Sequence, residues 1–80
     1  MGVDRVQEIF REVFGDGNLN IFPEMTAKHV ANWDSFNHIN LIIALESEFA
    51  ISFSTEEILE MFYVDDLIKI LRKKGHDVSW

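Results

Sequence analysis

In three separate stretches of this chain the apolar residues recur three and four positions apart. That spacing restricts the fold more than any other feature, because it places them on one side of an α-helix. Val3, Val6, Ile9, Phe10, Val13 and Phe14 form the first such set. The spacing predicts a helix over about residues 4–14, with Asp4 and Gln7 as a capping box and Gly15 as its stop. Val64, Leu67, Ile68 and Leu71 predict another helix over about 64–74. Its basic last turn, Arg72-Lys73-Lys74, suits the negative end of the helix dipole, and Gly75 ends it. Between these two, Ser54 and Glu57 form a second capping box that starts a short helix over about 55–61. Residues 15–33 hold the only proline and little periodicity, so they read as one long loop, with one short turn at Thr26–Val30. Ile51-Ser52-Phe53 could be a brief strand, but no partner strand is apparent. The expected class is all-α: a four-helix bundle, three longer helices and a short third, with a long connection between the first two. Its 80 residues make one domain, 1–80, with 76–80 expected as a loose tail.

The helix expected over about 35–49, capped by Asp34 or Ser35, differs from the others. It carries two apolar stripes. Leu41, Ile42, Leu45 and Phe49 form one, and Phe36, Ile39 and Ile43 form the other, offset around the helix. A domain this small cannot easily bury both. One stripe belongs to the core; the second lies under the long loop or faces a partner.

Charge is as unevenly arranged as hydrophobicity. The formal net charge is −7, which argues against binding nucleic acid through phosphates. From His29 to Ile68 there is no Lys or Arg, while the same stretch holds Asp34, Glu46, Glu48, Glu56, Glu57, Glu60, Asp65 and Asp66. A solvated acidic face is the bland reading of such a run. A one-signed surface of this extent also steers basic partners and raises association rates. The longest unbroken apolar run, Leu41–Leu45, is far too short to cross a membrane. No basic segment followed by an apolar one opens the chain, so no secretory signal is expected and the expected location is cytoplasmic. With no cysteine there is neither disulfide nor thiolate metal site.

Four local patterns suggest chemistry. Asp16-x-Asn18-x-Asn20 looks like half of a calcium loop, but Ile21 and Ala27 stand where that loop needs Gly and Glu. His29, His38 and His76 show no recognised metal-ligand spacing, so no metal is expected. Asp34, Ser35 and His38 are the residue types of a hydrolase. Trp33 and Asn37 nevertheless occupy the positions where a nucleophile elbow has glycines. The fourth pattern is Trp33-Asp34-Ser35-Phe36. A serine in the first turn of a helix offers an accessible hydroxyl beside unpaired backbone N–H groups, which suit a phosphate. Capping alone would explain Asp34 and Ser35 as well.

The sequence resembles the free-standing acyl carrier proteins over about residues 3–72. The family's Asp-Ser-Leu motif reads Asp34-Ser35-Phe36 here, preceded by Trp33. Ala44-Leu45-Glu46-Ser47-Glu48-Phe49 follows the family's second helix, and Ile51-Ser-Phe53 with Ser54-Thr-Glu-Glu57 follows its link into the third. The loop Ile21-Phe-Pro-Glu-Met-Thr26 is also similar. The resemblance implies a carrier rather than an enzyme. Ser35 would bear covalent 4′-phosphopantetheine from coenzyme A, flanked by Asp34 and Phe36, and the arm's thiol would hold acyl groups as thioesters. It implies recognition by partners through Ile39, Asn40, Ile43, Glu46, Glu48, Glu56, Glu57 and Glu60. Those partners would be a phosphopantetheinyl transferase and acyltransferases, ketosynthases or other acyl-processing enzymes with basic patches, the carrier acting as a monomer. It also implies an acyl-chain groove between helices 2 and 3, with Ile42, Leu45, Ile58, Leu59 and Met61 at its entrance. Phe36 replaces the usual Leu, and Asn40 and Ser47 stand where fatty-acid-synthesis carriers commonly have acids. A specialised carrier for polyketide, lipid or modified-sugar assembly is therefore as compatible as one for fatty acid synthesis. Two alternatives stay open at this point: an aminoacyl carrier of the D-alanyl or peptidyl kind, and a carrier-like interaction module that is not modified.

Overall fold

The computed structural model describes residues 2–80. Four helices follow one another: α1, Asp4–Phe14; α2, Ser35–Phe49; α3, Thr55–Leu59; and α4, Val64–Lys73. A single short helical turn, Ala27–His29, interrupts the connection between α1 and α2. The all-α class and the four-helix order agree with the sequence reading, and α3 is shorter than the pattern suggested.

The helices end where local chemistry ends them. Gly15 takes the left-handed conformation (φ 67°) that closes α1, and its N–H donates to the Arg11 carbonyl. Ala50 does the same for α2 at φ 53°, a strained position for a residue with a Cβ. At the start of α3, the Ser54 hydroxyl accepts from the Glu57 N–H and the Glu57 carboxylate accepts from the Ser54 N–H, at 3.1 and 2.9 Å. The box expected at Asp4 and Gln7 does not form. Val3 occupies the cap position without a side-chain bond, and the Gln7 amide oxygen instead accepts from the Ile21 N–H at 2.9 Å. Gln7 thereby satisfies a backbone donor of the long loop.

The core is one cluster. Val6, Ile9, Phe10 and Phe14 of α1, Leu41, Ile42 and Leu45 of α2, and Val64, Leu67, Ile68 and Leu71 of α4 are all buried. The long loop contributes Ile21, Met25 and Val30 to it. Its path is fixed by hydrogen bonds as well. The Arg11 guanidinium donates to the Leu19 carbonyl at 2.7 Å, and the Val64 and Asp65 N–H groups donate to the Met25 and Pro23 carbonyls at 2.9 and 3.1 Å. The N-terminus of α4 and the loop thus answer each other's unpaired groups.

Two local expectations fail for identifiable reasons. Ile51–Phe53 forms no strand; the Glu46 carboxylate accepts from the Phe53 N–H at 2.9 Å and Phe53 turns inward. Nor is 76–80 a loose tail. Val78 is 3% exposed and belongs to the core, its carbonyl accepts from Arg72 Nε at 2.6 Å, and Ser79 bridges to Gly2. The Trp80 indole donates to Asp65 at 2.9 Å. One buried valine and three backbone or side-chain anchors outweigh the segment's lack of periodicity.

Candidate functional site

The site grows out of the junction between the long loop and α2. Trp33 packs its ring against Phe10 and Phe14, with centroids 5.6 and 5.3 Å apart, so the last residues of the loop are held on the core. Asn32 donates to the Phe14 carbonyl at 3.3 Å, and Asn37 donates back to the Asn32 carbonyl at 2.7 Å. Asp34 then caps α2: its carboxylate accepts from the Asn37 N–H at 2.8 Å. Ser35 follows as the first helical residue, exposed. The N–H groups of Ser35 and Phe36 have no acceptor among the described residues. A rigid anchor, a satisfied cap, a free hydroxyl and unpaired donors at the positive end of a fifteen-residue helix are brought together at one point. These groups fit a phosphodiester on the Ser35 oxygen: the donors face an anion, and Asp34 keeps its own carboxylate occupied.

Ser35 stands at the rim of a groove of about 940 Å³. One wall is the start of α2, with Trp33, Asp34, His38 and Ile39. The facing wall is α3 and its link to α4, with Ile58, Leu59, Met61, Phe62 and Tyr63; Thr26, Ala27 and Lys28 close one end. Of the residues that the resemblance implied for an acyl-chain groove, Ile58, Leu59 and Met61 line this one. Ile42 and Leu45 do not line it; both are buried in the core. The α2 wall is formed by Ile39, one stripe away. Trp33, His38, Phe62 and Tyr63 were missed as lining residues. The apolar pair Phe62-Tyr63, outside any helical period, was the signal available for two of them.

The two stripes of α2 separate cleanly. Leu41, Ile42 and Leu45 are buried and Phe49 is half-buried against the core, whereas Phe36, Ile39 and Ile43 are exposed, Phe36 to 64%. Leu59, Phe62 and Tyr63 are exposed beside them. The acids around this surface divide into two kinds. Glu56 and Glu60 are exposed and make no ion pair among the described residues. Glu46 holds the Phe53 N–H, Glu48 pairs with Arg5, and Glu57 pairs with Lys74 at 3.0 Å while capping α3. The hydrogen bond from Arg5 holds the Glu48 carboxyl below its ordinary range. The Ser54 N–H, and then Lys74, do the same for Glu57. Three of the acids expected at a partner surface therefore also have structural tasks. No group of three or more His, Asp or Glu that could hold a metal occurs among the described residues, and no helix is long and apolar enough to cross a membrane.

The sequence matches no protein-family model. Among solved structures, a holo acyl carrier protein from Geobacter metallireducens, determined by solution NMR, superimposes with a TM-score of 0.79 at 33% sequence identity. The match covers 98% of this chain and 97% of that one. Identity of this degree over essentially the full length of both chains, joined to the Asp34-Ser35 motif at the start of the second helix, makes this chain a member of the acyl carrier protein family.

Proposed function

We propose that this chain carries acyl intermediates as thioesters on a 4′-phosphopantetheine arm attached to Ser35, and presents them to fatty acid, polyketide or related biosynthetic enzymes. The observation that most supports this reading is the placement of Ser35: exposed, at the start of α2, beside N–H groups without acceptors and at the rim of an apolar groove. In loading, the Ser35 oxygen would form a bond to the phosphorus of coenzyme A. The nucleotide half would depart, and the hydroxyl proton would pass to a base of the transferase. The arm supplies a terminal thiol, which this cysteine-free chain lacks. The chain's own residues do the rest. Asp34 fixes the helix start, Trp33 fixes the loop, and the dipole of α2 favours the anionic linkage.

The groove offers an apolar acyl chain a lining of Ile39, Ile58, Leu59 and Met61. Burial there gains up to about 0.8 kcal/mol per methylene. Longer acyl loads would therefore raise the melting temperature until the groove fills. Partner enzymes with basic patches would meet Glu56 and Glu60 around the apolar centre formed by Phe36, Ile39 and Ile43. Intact-mass spectrometry after incubation with a broad-specificity phosphopantetheinyl transferase and coenzyme A tests the assignment. The wild type gains the mass of one phosphopantetheine; Ser35→Ala gains none while keeping its helical circular-dichroism spectrum. A mass gain in the Ala variant would sink it.

A further inference from the structure

One turn after Ser35, His38 lines the same groove and is gripped by Trp33. The Trp33 indole N–H lies 3.1 Å from His38 Nδ1, and the two rings stack at 20° with centroids 6.1 Å apart. An indole nitrogen can only donate, so Nδ1 must be the acceptor and the imidazole proton resides on Nε2. Trp33 is itself wedged against Phe10 and Phe14, so tautomer and ring plane are both set by the core. Nε2 has no partner among the described residues. A structural purpose for His38 would be complete with the Nδ1 bond; it leaves the N–H donor of this groove-lining ring unused.

We propose that His38 is a positioning residue for the prosthetic arm, its Nε2–H donating to a phosphodiester oxygen on Ser35. This rests on Ser35 being the attachment point. Residues three apart on a helix are surface neighbours, about 5–6 Å between Cβ atoms, so a phosphate on the Ser35 oxygen comes within reach of the ring. The bond would orient the first segment of the arm along the groove instead of letting it swing into solvent. It also makes the contact responsive to pH. Protonation puts a second N–H on Nδ1, which cannot accept from Trp33, so the grip opens, while the imidazolium strengthens its bond to the phosphodiester. The other charged or titratable groups lining the groove are Asp34 on α2, Lys28 on the short turn and Tyr63 ahead of α4.

The test is a phosphorus NMR titration of the loaded protein between about pH 5 and 8, where histidine changes charge. A phosphodiester keeps its single charge throughout this range, so a shift of its resonance reports a neighbour. One inflection is expected, followed by the Trp33 indole N–H resonance at the same pH. His38→Gln, which keeps a donor but cannot titrate, should flatten both profiles. A phosphorus resonance indifferent to pH in the wild type overturns the inference, as does an inflection that survives His38→Gln and so belongs to His29 or His76. Failure of the wild type to gain the arm's mass at all would overturn the carrier reading, and this inference with it.

Discussion

Helices α1 and α4 carry one apolar face each, with charges on the other side. Helix α2 and the α3 region carry apolar residues they do not bury. On α1 and α4 the buried residues, Val6, Ile9, Phe10 and Phe14 on one and Val64, Leu67, Ile68 and Leu71 on the other, are all in the core. On α2, Leu45 is 0% exposed while Ile43, two residues back, is 58% exposed. Phe62, just past α3, is 71% exposed. One half of the bundle is built as a hydrophobic support. The other spends apolar residues on a surface that folding alone does not require, and this is where Ser35 and the groove lie. An exposed apolar patch rimmed by charge is the usual mark of an interaction site.

The largest effect that can break this contrast is in the core. Leu45→Ala should lower unfolding free energy by about 2–5 kcal/mol, whereas Ile43→Ala should change it by no more than about 0.5 kcal/mol. Equal losses in a denaturant titration would mean that the two stripes of α2 have been wrongly separated. Ile43→Ala should instead weaken binding to a phosphopantetheinyl transferase by about 1–3 kcal/mol, chiefly through faster dissociation in a surface-plasmon experiment. Glu60→Lys should act on the same complex by slowing association and flattening its salt dependence. It is a cleaner probe than Glu46→Lys, which would also release the Phe53 N–H.

The supporting half extends into the C-terminal segment. Val78→Ala deletes two buried carbons and should cost about 1.6 kcal/mol at about 0.8 kcal/mol each; a loose tail would register nothing. At the other end of the scale, Ala50→Gly relieves the left-handed C-cap of α2. It should stabilise by about 0.5–1 kcal/mol, the gain from relief of αL strain less the entropy cost of glycine.

The smallest effect concerns acid. Glu57 has its carboxyl pKa lowered in the folded state, first by the Ser54 N–H and then by Lys74. The unfolded chain then binds more protons as pH falls through the ordinary carboxylate range, about 4.3 for Glu. The contribution of Glu57 is thus fully present above that range and is lost as pH drops through the lowered folded value. Melting temperatures of wild type and Glu57→Gln should converge on acidification. Their difference cancels the relief of acidic self-repulsion that both share. A gap that does not depend on pH would assign Glu57 no electrostatic part in the α3 cap.

Most of the helical framework was legible because α1, α2 and α4 each run for ten or more residues. The spacing of Val3 to Phe14 and of Val64 to Leu71 needs no tertiary information, and Gly15 and Ser54 mark ends by their own backbone chemistry. The failures share another cause. Gln7 and Glu46 looked like cap or surface residues, yet their side chains take the N–H groups of Ile21 and Phe53. Only the folded loops, which arrive from seven or more residues away, make such donors available. The tail was misread for the same reason: Val78 has no periodic companions, and the hollow that buries it is built by the rest of the chain.

By itself the sequence determined the helical class, the order of the helices, the serine at the head of α2 and the presence of two apolar stripes on that helix, because these depend on neighbours three and four positions apart. Which stripe would be buried, which acids would be tied to backbone or cation, and that Ile39 rather than Ile42 would face the groove were decided only by the tertiary structure. Those outcomes depend on where α1, α4 and the long loop press against α2, and burial is a property of the assembled surfaces rather than of any one segment.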